Sequence, residues 1–374
     1  MPPILPEPLT AIFNTWAQDT PDPRLALRVV YPLLEVLFVL YVGQLCGMED
    51  VNEIALFAKL ELAWFRQFLP FKPGIAPAQT LRRVIAMIDR RAFEALFTAW
   101  SAAWCGPGVV AIDGKCLRGA GAGADHQALY TVSAFAHRAG LVLGQQKVGD
   151  KSNEITAIPA LLERLTLTGN IVTIDAMGTQ SAIAATIRAK QADYILALKG
   201  NQGTLHDDVV RFFADATLTK DCAVHTTTNL GHGRIEERSI RVIDASDWLC
   251  AMHPHWQDLR CIVALTARRT FKKTGQTGAE TRYYITSLPP DPALILEAIR
   301  AHWSIENTLH WTLDVTFGED KSRLRKDNAA ANMAVIRKAA FNTLKQDQSK
   351  MTIKLKRLKA AHDPAFRTAL INHS

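Results

Sequence analysis

Three acidic residues, far apart in the chain, stand where carboxylates do chemistry. Asp113 closes the run Val109-Val110-Ala111-Ile112 and is followed by Gly114-Lys115. Asp175 closes Asn170-Ile171-Val172-Thr173-Ile174 in the same way, with Ala176 behind it. A short apolar run ended by a turn residue reads as a strand buried on both faces. Open α/β sheets place ligands at the carboxyl ends of such strands. A single aspartate there is equally a turn residue capping a loop; the repetition of the pattern is what favours chemistry. The third acid is Glu306. The stretch 294–317 reads as one long helix, on which Ile299, Trp303, Glu306, His310, Leu313 and Phe317 fall within about 40° of one line. A lone ionised carboxylate on a core-facing stripe is costly, so Glu306 needs protonation, a cationic partner such as His310, or a metal. Two strand-end aspartates and a helix-borne glutamate form the oxygen set that a hard divalent cation takes. Glu319 and Asp320, past Gly318, compete for the third place.

The elements that must position these acids come from a chain of 374 residues, long enough for two or three domains. Hydrophobic content of 48% and charged content of 21% exclude a disordered chain. Cys46, Cys105, Cys116, Cys222, Cys250 and Cys261 show no metal-type spacing, and no signal peptide precedes them. Reduced thiols in a cytoplasmic protein are expected. The apolar stretch 36–48, bounded by Glu35 and Glu49, is too short to span a membrane and suits a buried helix. The net charge is +7. Residues 337–374 hold nine Lys or Arg against two Asp, which alone accounts for +7 and points to a polyanion partner. A solvated helix face is the plainer reading.

Residues 1–21, with four prolines before Leu9, read as a leader, and 22–104 as a helical N-terminal domain broken by Gly47, Pro70, Pro73-Gly74 and Pro77. Thr80 is placed as an N-cap, with Leu81, Val84, Ile85 and Ile88 at helical spacing behind it. Arg82, Arg83, Arg90 and Arg91 share about half of that helix's circumference. Such a helix suits DNA, as it suits an ordinary surface. From Val109 the pattern turns to strands: 109–112, then 129–136 and 141–148 as a hairpin, a helix over 155–165, the strand before Asp175, a helix over 181–191 and a strand over 194–198. The glycine-rich 119–123 reads as a linker. This order is the core of a ribonuclease H-like mixed sheet with flanking helices. Residues 105–345 are assigned to this α/β domain, with a β-rich insertion over about 203–290 and a polar loop over 268–281. Residues 346–374 form a basic tail.

The segments Ala111-Ile112-Asp113-Gly114-Lys115, Val172-Thr173-Ile174-Asp175-Ala176 and His302-Trp303-Ser304-Ile305-Glu306-Asn307 resemble the acidic triad segments of DDE transposases of bacterial insertion sequences. The nearest resemblance is to the group that includes the H-repeat-associated proteins. Leu196-Ala197-Leu198-Lys199-Gly200-Asn201-Gln202, His232-Gly233-Arg234 and Leu309-His310-Trp311-Thr312-Leu313-Asp314-Val315 carry it further, and it runs from Asp22 through Asn342. Related transposases place a Tyr, an Arg and a Lys at fixed offsets around the catalytic Glu. Here those positions are Ile299, His302 and Leu313, so His302, Lys321, Arg323 and Arg325 are the candidate replacements for phosphate contacts.

The resemblance implies that Asp113, Asp175 and Glu306 hold two Mg²⁺ or Mn²⁺ ions and that the enzyme cuts DNA at transposon ends and joins those ends to target DNA. Lys115, Lys199, Arg82 and Arg83 complete the expected DNA contacts. The implied partner is double-stranded DNA bearing terminal inverted repeats, met in the bacterial cytoplasm as a homodimer, with no membrane. The alternative is a catalytically silent, transposase-derived DNA-binding protein. A phosphotransferase using Asp113 as nucleophile usually has an acid two residues on, where Lys115 stands. An adenylating ligase wants a lysine two residues before, where Ala111 stands.

Overall fold

The structure, a computed structural model, describes residues 22–104, 106–120, 129–149, 153–231 and 233–372. The 1–21 leader, the glycines from Gly121 of the expected linker, and His232 lie outside the described residues. The longer helices come first, α1 (Leu33–Leu45), α2 (Val51–Leu60), α3 (Ala78–Met87) and α4 (Arg90–Ala102), with a short α-helical turn, Leu62–Phe65, between α2 and α3. Strands and helices then alternate as β1 (Val109–Leu117), β2 (Leu129–Ala136), β3 (Leu141–Lys147), α5 (Glu154–Arg164), β4 (Ile171–Ile174), α6 (Ser181–Ala189), β5 (Asp193–Leu198) and α7 (Gly203–Ala214). Four strands follow, β6 (Ala223–Gly231), β7 (Arg234–Asp244), β8 (Cys261–Phe271) and β9 (Thr277–Thr286). The chain closes with α8 (Pro292–Ser304), α9 (Ala329–Gln346), α10 (Ile353–His362) and α11 (Pro364–Asn372). It is a mixed α/β protein with a large mixed sheet and flanking helices. No described helix is long and apolar enough to cross a membrane.

These elements form two compact units. One draws on Met1–Cys105, Gly114–Asn153 and Glu306–Ser374, the other on Gly106–Asp113 and Glu154–Ile305. In the first unit α1 is apolar on nearly every side and correspondingly buried, as a helix without a polar face must be. Helix α9 is also buried, and its polar side chains serve neighbouring backbone. The Asn342 amide donates to the Val142 carbonyl and accepts from its N–H, both at 2.8 Å, filling the open edge of β3. Asn332 donates to the carbonyls of Ile85 and Ile88 at 2.8 and 3.1 Å, closing the end of α3. Helix α3 begins behind Pro77, one turn earlier than a Thr80 cap implies, and ends at Met87. Arg90 and Arg91 therefore belong to a second helix capped by Asp89, not to the helix of Arg82 and Arg83.

Helix α10 is inside out: it buries Lys356, Arg357 and Ala360 and exposes Leu355 and Leu358. Its cations sit on helix ends, where carbonyls lack partners and the helix dipole is negative. Lys356 donates to the carbonyls of Leu344 and Asp347 at 3.0 and 2.6 Å, at the end of α9. Arg357 donates to Gln44 O at 2.9 Å, at the end of α1, and lies over the Phe317 ring. Arg367 donates to Ala360 O at 3.1 Å and pairs with Glu61. Five of the basic side chains that seemed to advertise a polyanion partner (Arg337, Lys338, Lys356, Arg357 and Arg367) are buried.

The same unit encloses an ion cluster. Lys115, on the last part of β1, reaches Asp314 at 2.6 Å, Glu319 at 3.3 Å and Asp320 at 3.4 Å. Arg337 approaches Glu319 at 3.7 Å, and Lys338 donates to Gln145 Oε1 at 2.6 Å. Burial pushes the Lys338 ammonium down to about 8 against the pull of Glu319 and Glu94. The unfolded chain keeps this proton up to its ordinary 10.5, so it binds more protons than the folded protein between those values. Lys338 should therefore add stability as pH rises from about 8 to 10.5, by up to about 3 kcal/mol, while the buried Cys46 and Cys261 thiols, pushed up to about 12 from 9.0, take stability away above pH 9. Urea titrations across that window should show the wild type gaining stability with pH relative to Lys338→Met; equal slopes in both proteins would remove Lys338 as a source.

In the second unit, the start of β1 pairs parallel with β4, and β4 parallel with β5. Antiparallel β9, β8, β7 and β6 continue the sheet from β5. Ile295, Leu296 and Ile299 of α8 pack in one cluster with Ile195, Val263 and Tyr284 of the strands. The polar loop expected over 268–281 is instead mostly strand, for β8 and β9 run on in register to the pair Thr270 and Thr277. Their outer halves are exposed, so their sequence carries no apolar alternation. In the first unit β2 and β3 form an antiparallel hairpin, and β2 is flanked by β1.

Candidate active site

Ile112 of β1 and Ile174 of β4 are the last pair of their parallel ladder, so Asp113 and Asp175 follow it side by side; β4 ends there, but β1 runs on to Leu117, which places Asp113 within its strand and not at the expected strand end. Neighbouring strands are about 4.8 Å apart, which brings two carboxylates within the span of one or two cations. The apolar runs that end in these acids are buried, whereas Asp113 and Asp175 are half-buried. Glu154, the first residue of α5, belongs to the same acidic surroundings: burial first, then the Asp175 charge, raises its carboxyl above the usual range. No spacing or repeat in the sequence singles out Glu154. Among the described residues no three His, Cys, Asp or Glu side chains are already gathered as a metal cage. The donor type of the aspartate pair nevertheless fits a hard divalent cation.

The turn after Asp175 is held by side chains from the end of β5. Gly178 N donates to Asp175 Oδ1 at 3.2 Å, and Thr179 Oγ1 donates to Ala197 O at 2.6 Å. Asn201 Nδ2 donates to Ala176 O at 2.7 Å, and Gln202 Nε2 to Thr179 O. The motif Lys199-Gly200-Asn201-Gln202 therefore supplies the brace of the Asp175 turn. Gly178 allows that turn to lie flat: a Cβ would come within 2.4 Å of Ile174 Cγ2 and 2.6 Å of Ile158 Cδ1. Gly178→Ala should cost about 1–3 kcal/mol through this overpacking and displace the Asp175 carboxylate. Chemical denaturation measures the first effect; an unchanged midpoint would show that α5 yields freely.

His302, on α8, lies with Nδ1 3.0 Å from Thr173 Oγ1, on the strand that carries Asp175. Burial lowers its imidazole pKa below the usual range, against the Asp175 charge, so the ring is neutral at neutral pH. It buttresses β4, which corrects the expectation of a cation reaching for phosphate. Lys115 is corrected more strongly, because it is buried among Asp314, Glu319 and Asp320 and does not face solvent. The same cluster engages both competing acids, and Glu319 is 2% exposed. Lys199 is exposed at the end of β5.

The expected straight helix around Glu306 is broken. Helix α8 stops at Ser304, Ile305–His310 form a π-helical turn, and a short α-helix resumes at Trp311–Val315. The wider turn shifts the register of the stripe: Leu313 and Phe317 are fully buried, but Glu306 is exposed and Trp303 is 38% exposed. Glu306 thus needs no partner to offset burial. It is the first residue after the boundary at Ile305 and counts with the first unit, whereas both aspartates belong to the second. Also in the first unit, Arg82, Arg83, Lys321, Arg323 and Arg325 all line one cleft of about 720 Å³.

The sequence matches the family described as Transposase DDE domain over residues 104–343. Residues 15–101 match the companion family described as DDE_Tnp_1-associated. The chain is 39% identical over 353 residues to "Putative transposase YncI" of Escherichia coli O157:H7, covering 92% of this chain and 90% of that one. It is 33% identical over 359 residues to "H repeat-associated putative transposase YhhI" of Escherichia coli K12, covering 94% and 95%. Read together with the aspartates paired beyond the β1–β4 ladder, these matches place the chain in the DDE transposase family, in the company of the H-repeat-associated proteins.

Proposed function

We propose that the protein is an active transposase that cuts DNA at the ends of an insertion sequence and joins those ends to target DNA. Asp113, Asp175 and Glu306 would hold a pair of Mg²⁺ or Mn²⁺ ions. The observation that carries the reading is the placement of Asp113 and Asp175 side by side, each directly after the last pair of the parallel ladder between β1 and β4. The hairpin β2–β3 beside β1, followed by parallel β1, β4 and β5, supports a ribonuclease H-like core. When bound, the ions supply activation of water or a DNA 3′-hydroxyl and stabilisation of the leaving oxygen. The chain's own part is positional. The Asn201 and Gln202 brace fixes the Asp175 turn, His302 supports β4 through Thr173, and exposed Lys199 offers a cation to phosphate at the same sheet end. The substrate is double-stranded DNA with terminal inverted repeats, engaged in the bacterial cytoplasm by a homodimer so that two ends are held together.

The test is incubation of the full chain with labelled DNA carrying the ends of its own element, with Mg²⁺ or with chelator. Metal-dependent nicks at the ends and joined products support the reading. Binding without nicks under Mg²⁺ or Mn²⁺ would overturn it in favour of a silent DNA-binding relic.

A further inference from the structure

The cleft of the first unit is built for an anion. One wall is α3, which presents Gln79, Arg82 and Arg83 at i, i+3 and i+4 spacing and therefore on one face. The opposite wall is the segment Lys321 to Lys326, which adds Lys321, Arg323, Arg325 and Lys326, all exposed. Glu49 and Glu53 line another side, and Glu49 lies 3.6 Å from Lys321. The segment wall is held in place before any ligand arrives. Asp320 at its start accepts from Arg118 N at 3.3 Å and from Lys115. Arg325 Nε donates to Gly119 O at 3.2 Å, and the chain passes so close that a Cβ on Gly119 would meet Ser322 O at 2.3 Å.

The deepest cation of the cleft is Arg337 on α9. It is 2% exposed, lines the cavity, and its Nε makes no hydrogen bond among the described residues. Its one carboxylate neighbour, Glu319, stands at 3.7 Å, beyond hydrogen-bond length. A buried guanidinium with an unused donor is an acceptor site kept open.

We propose that this cleft grips the phosphate backbone of duplex DNA, with Arg337 as its floor and with no divalent ion involved. The proposal rests on the transposase reading for its choice of DNA and extends it with a contact surface that the acids do not form. Arg337 and Lys326 become DNA-binding residues alongside Arg82, Arg83, Lys321, Arg323 and Arg325. Arginine forks at a fixed spacing suit phosphate oxygens, and contacts of this type set register without reading bases.

The experiment measures binding of the full chain to a labelled 30-base-pair duplex (a length of about three helical turns) by anisotropy, in chelator, across a salt series. The wild type should bind in chelator. Arg83→Glu/Arg325→Glu, both at exposed positions, should weaken binding at least about tenfold and make the log–log salt slope shallower by about two. Lys59→Glu/Lys220→Glu, which reverses exposed cations outside the cleft, serves as the control. Arg337→Lys, which keeps the charge beside Glu319, should melt like the wild type yet bind at least about threefold more weakly. If the cleft variant binds like the control, the cleft proposal fails. Nicking by the wild type in parallel Mg²⁺ reactions then shows that the transposase reading survives. If the wild type binds in chelator through the cleft but never nicks, the transposase reading fails and the cleft stands. Equal or tighter capture of duplex RNA through the same residues would overturn the commitment to DNA.

Discussion

Asp113→Asn is expected to abolish metal-dependent nicking of end-bearing DNA, lowering the rate by about three orders of magnitude or more. Removing one anionic oxygen from a site of hard cations forfeits several kcal/mol of transition-state stabilisation. The asparagine keeps the size of the side chain, and Asp113 is only half-buried, so the unfolding free energy should move by no more than about 1 kcal/mol. Asp175→Asn should behave alike, since the two acids follow the same last pair of the β1–β4 ladder. Rates under Mg²⁺ and Mn²⁺, set beside a denaturation curve, separate chemistry from folding. An Asp113→Asn protein that nicks at the wild-type rate would remove the aspartate pair from the reaction.

Glu319→Ala should be the most damaging substitution for the fold. Its carboxylate is the shared counter-charge of Lys115 at 3.3 Å and Arg337 at 3.7 Å, all three being nearly inaccessible to water. Removing it leaves buried Arg337 without this carboxylate, while Lys115 keeps Asp314 and Asp320, and breaking such a buried pair costs about 3–5 kcal/mol. The loss should be partly restored in Glu319→Ala/Arg337→Met, because the second change removes the stranded charge. Thermal or urea unfolding of the four proteins of that cycle gives the coupling directly. Equal losses in the single and double variants would mean that the cluster does not act as a unit.

The apolar runs before Asp113 and Asp175 were legible because burial on both faces leaves a continuous apolar stretch, but the turn expected after Asp113 is absent, for β1 continues through Asp113, Gly114 and Lys115, which carry no strand signal, to Leu117. The brace formed by Asn201 and Gln202 was visible as a motif but not as a brace, since its partners are backbone carbonyls. Glu306 shows the limit of angular reckoning. A π turn has no strong residue signature, yet one such turn moved Glu306 from an expected inner stripe to solvent. The exposed halves of β8 and β9 failed for a related reason, because periodicity reports burial and those halves have little. Lys115 and the cations of α10 were misjudged because charge in sequence says nothing of which carbonyl or carboxylate folds over it. The cleft needed the fold outright: α3 and the 321–326 segment have no sequence relation that would pair their arginines.

The plugging of helix ends by Lys356, Arg357 and Arg367 has a consequence for biosynthesis. Helix α1 emerges from the ribosome early, greasy on nearly every side, while the arginine that covers its last carbonyls is translated some three hundred residues later. Contacts so distant in sequence are slow to form, and exposed apolar surface in the interval invites aggregation. Nascent chains should therefore lean on chaperones until synthesis is nearly finished. A premature stop anywhere before α10 would yield a product fit for proteolysis rather than for a partial job.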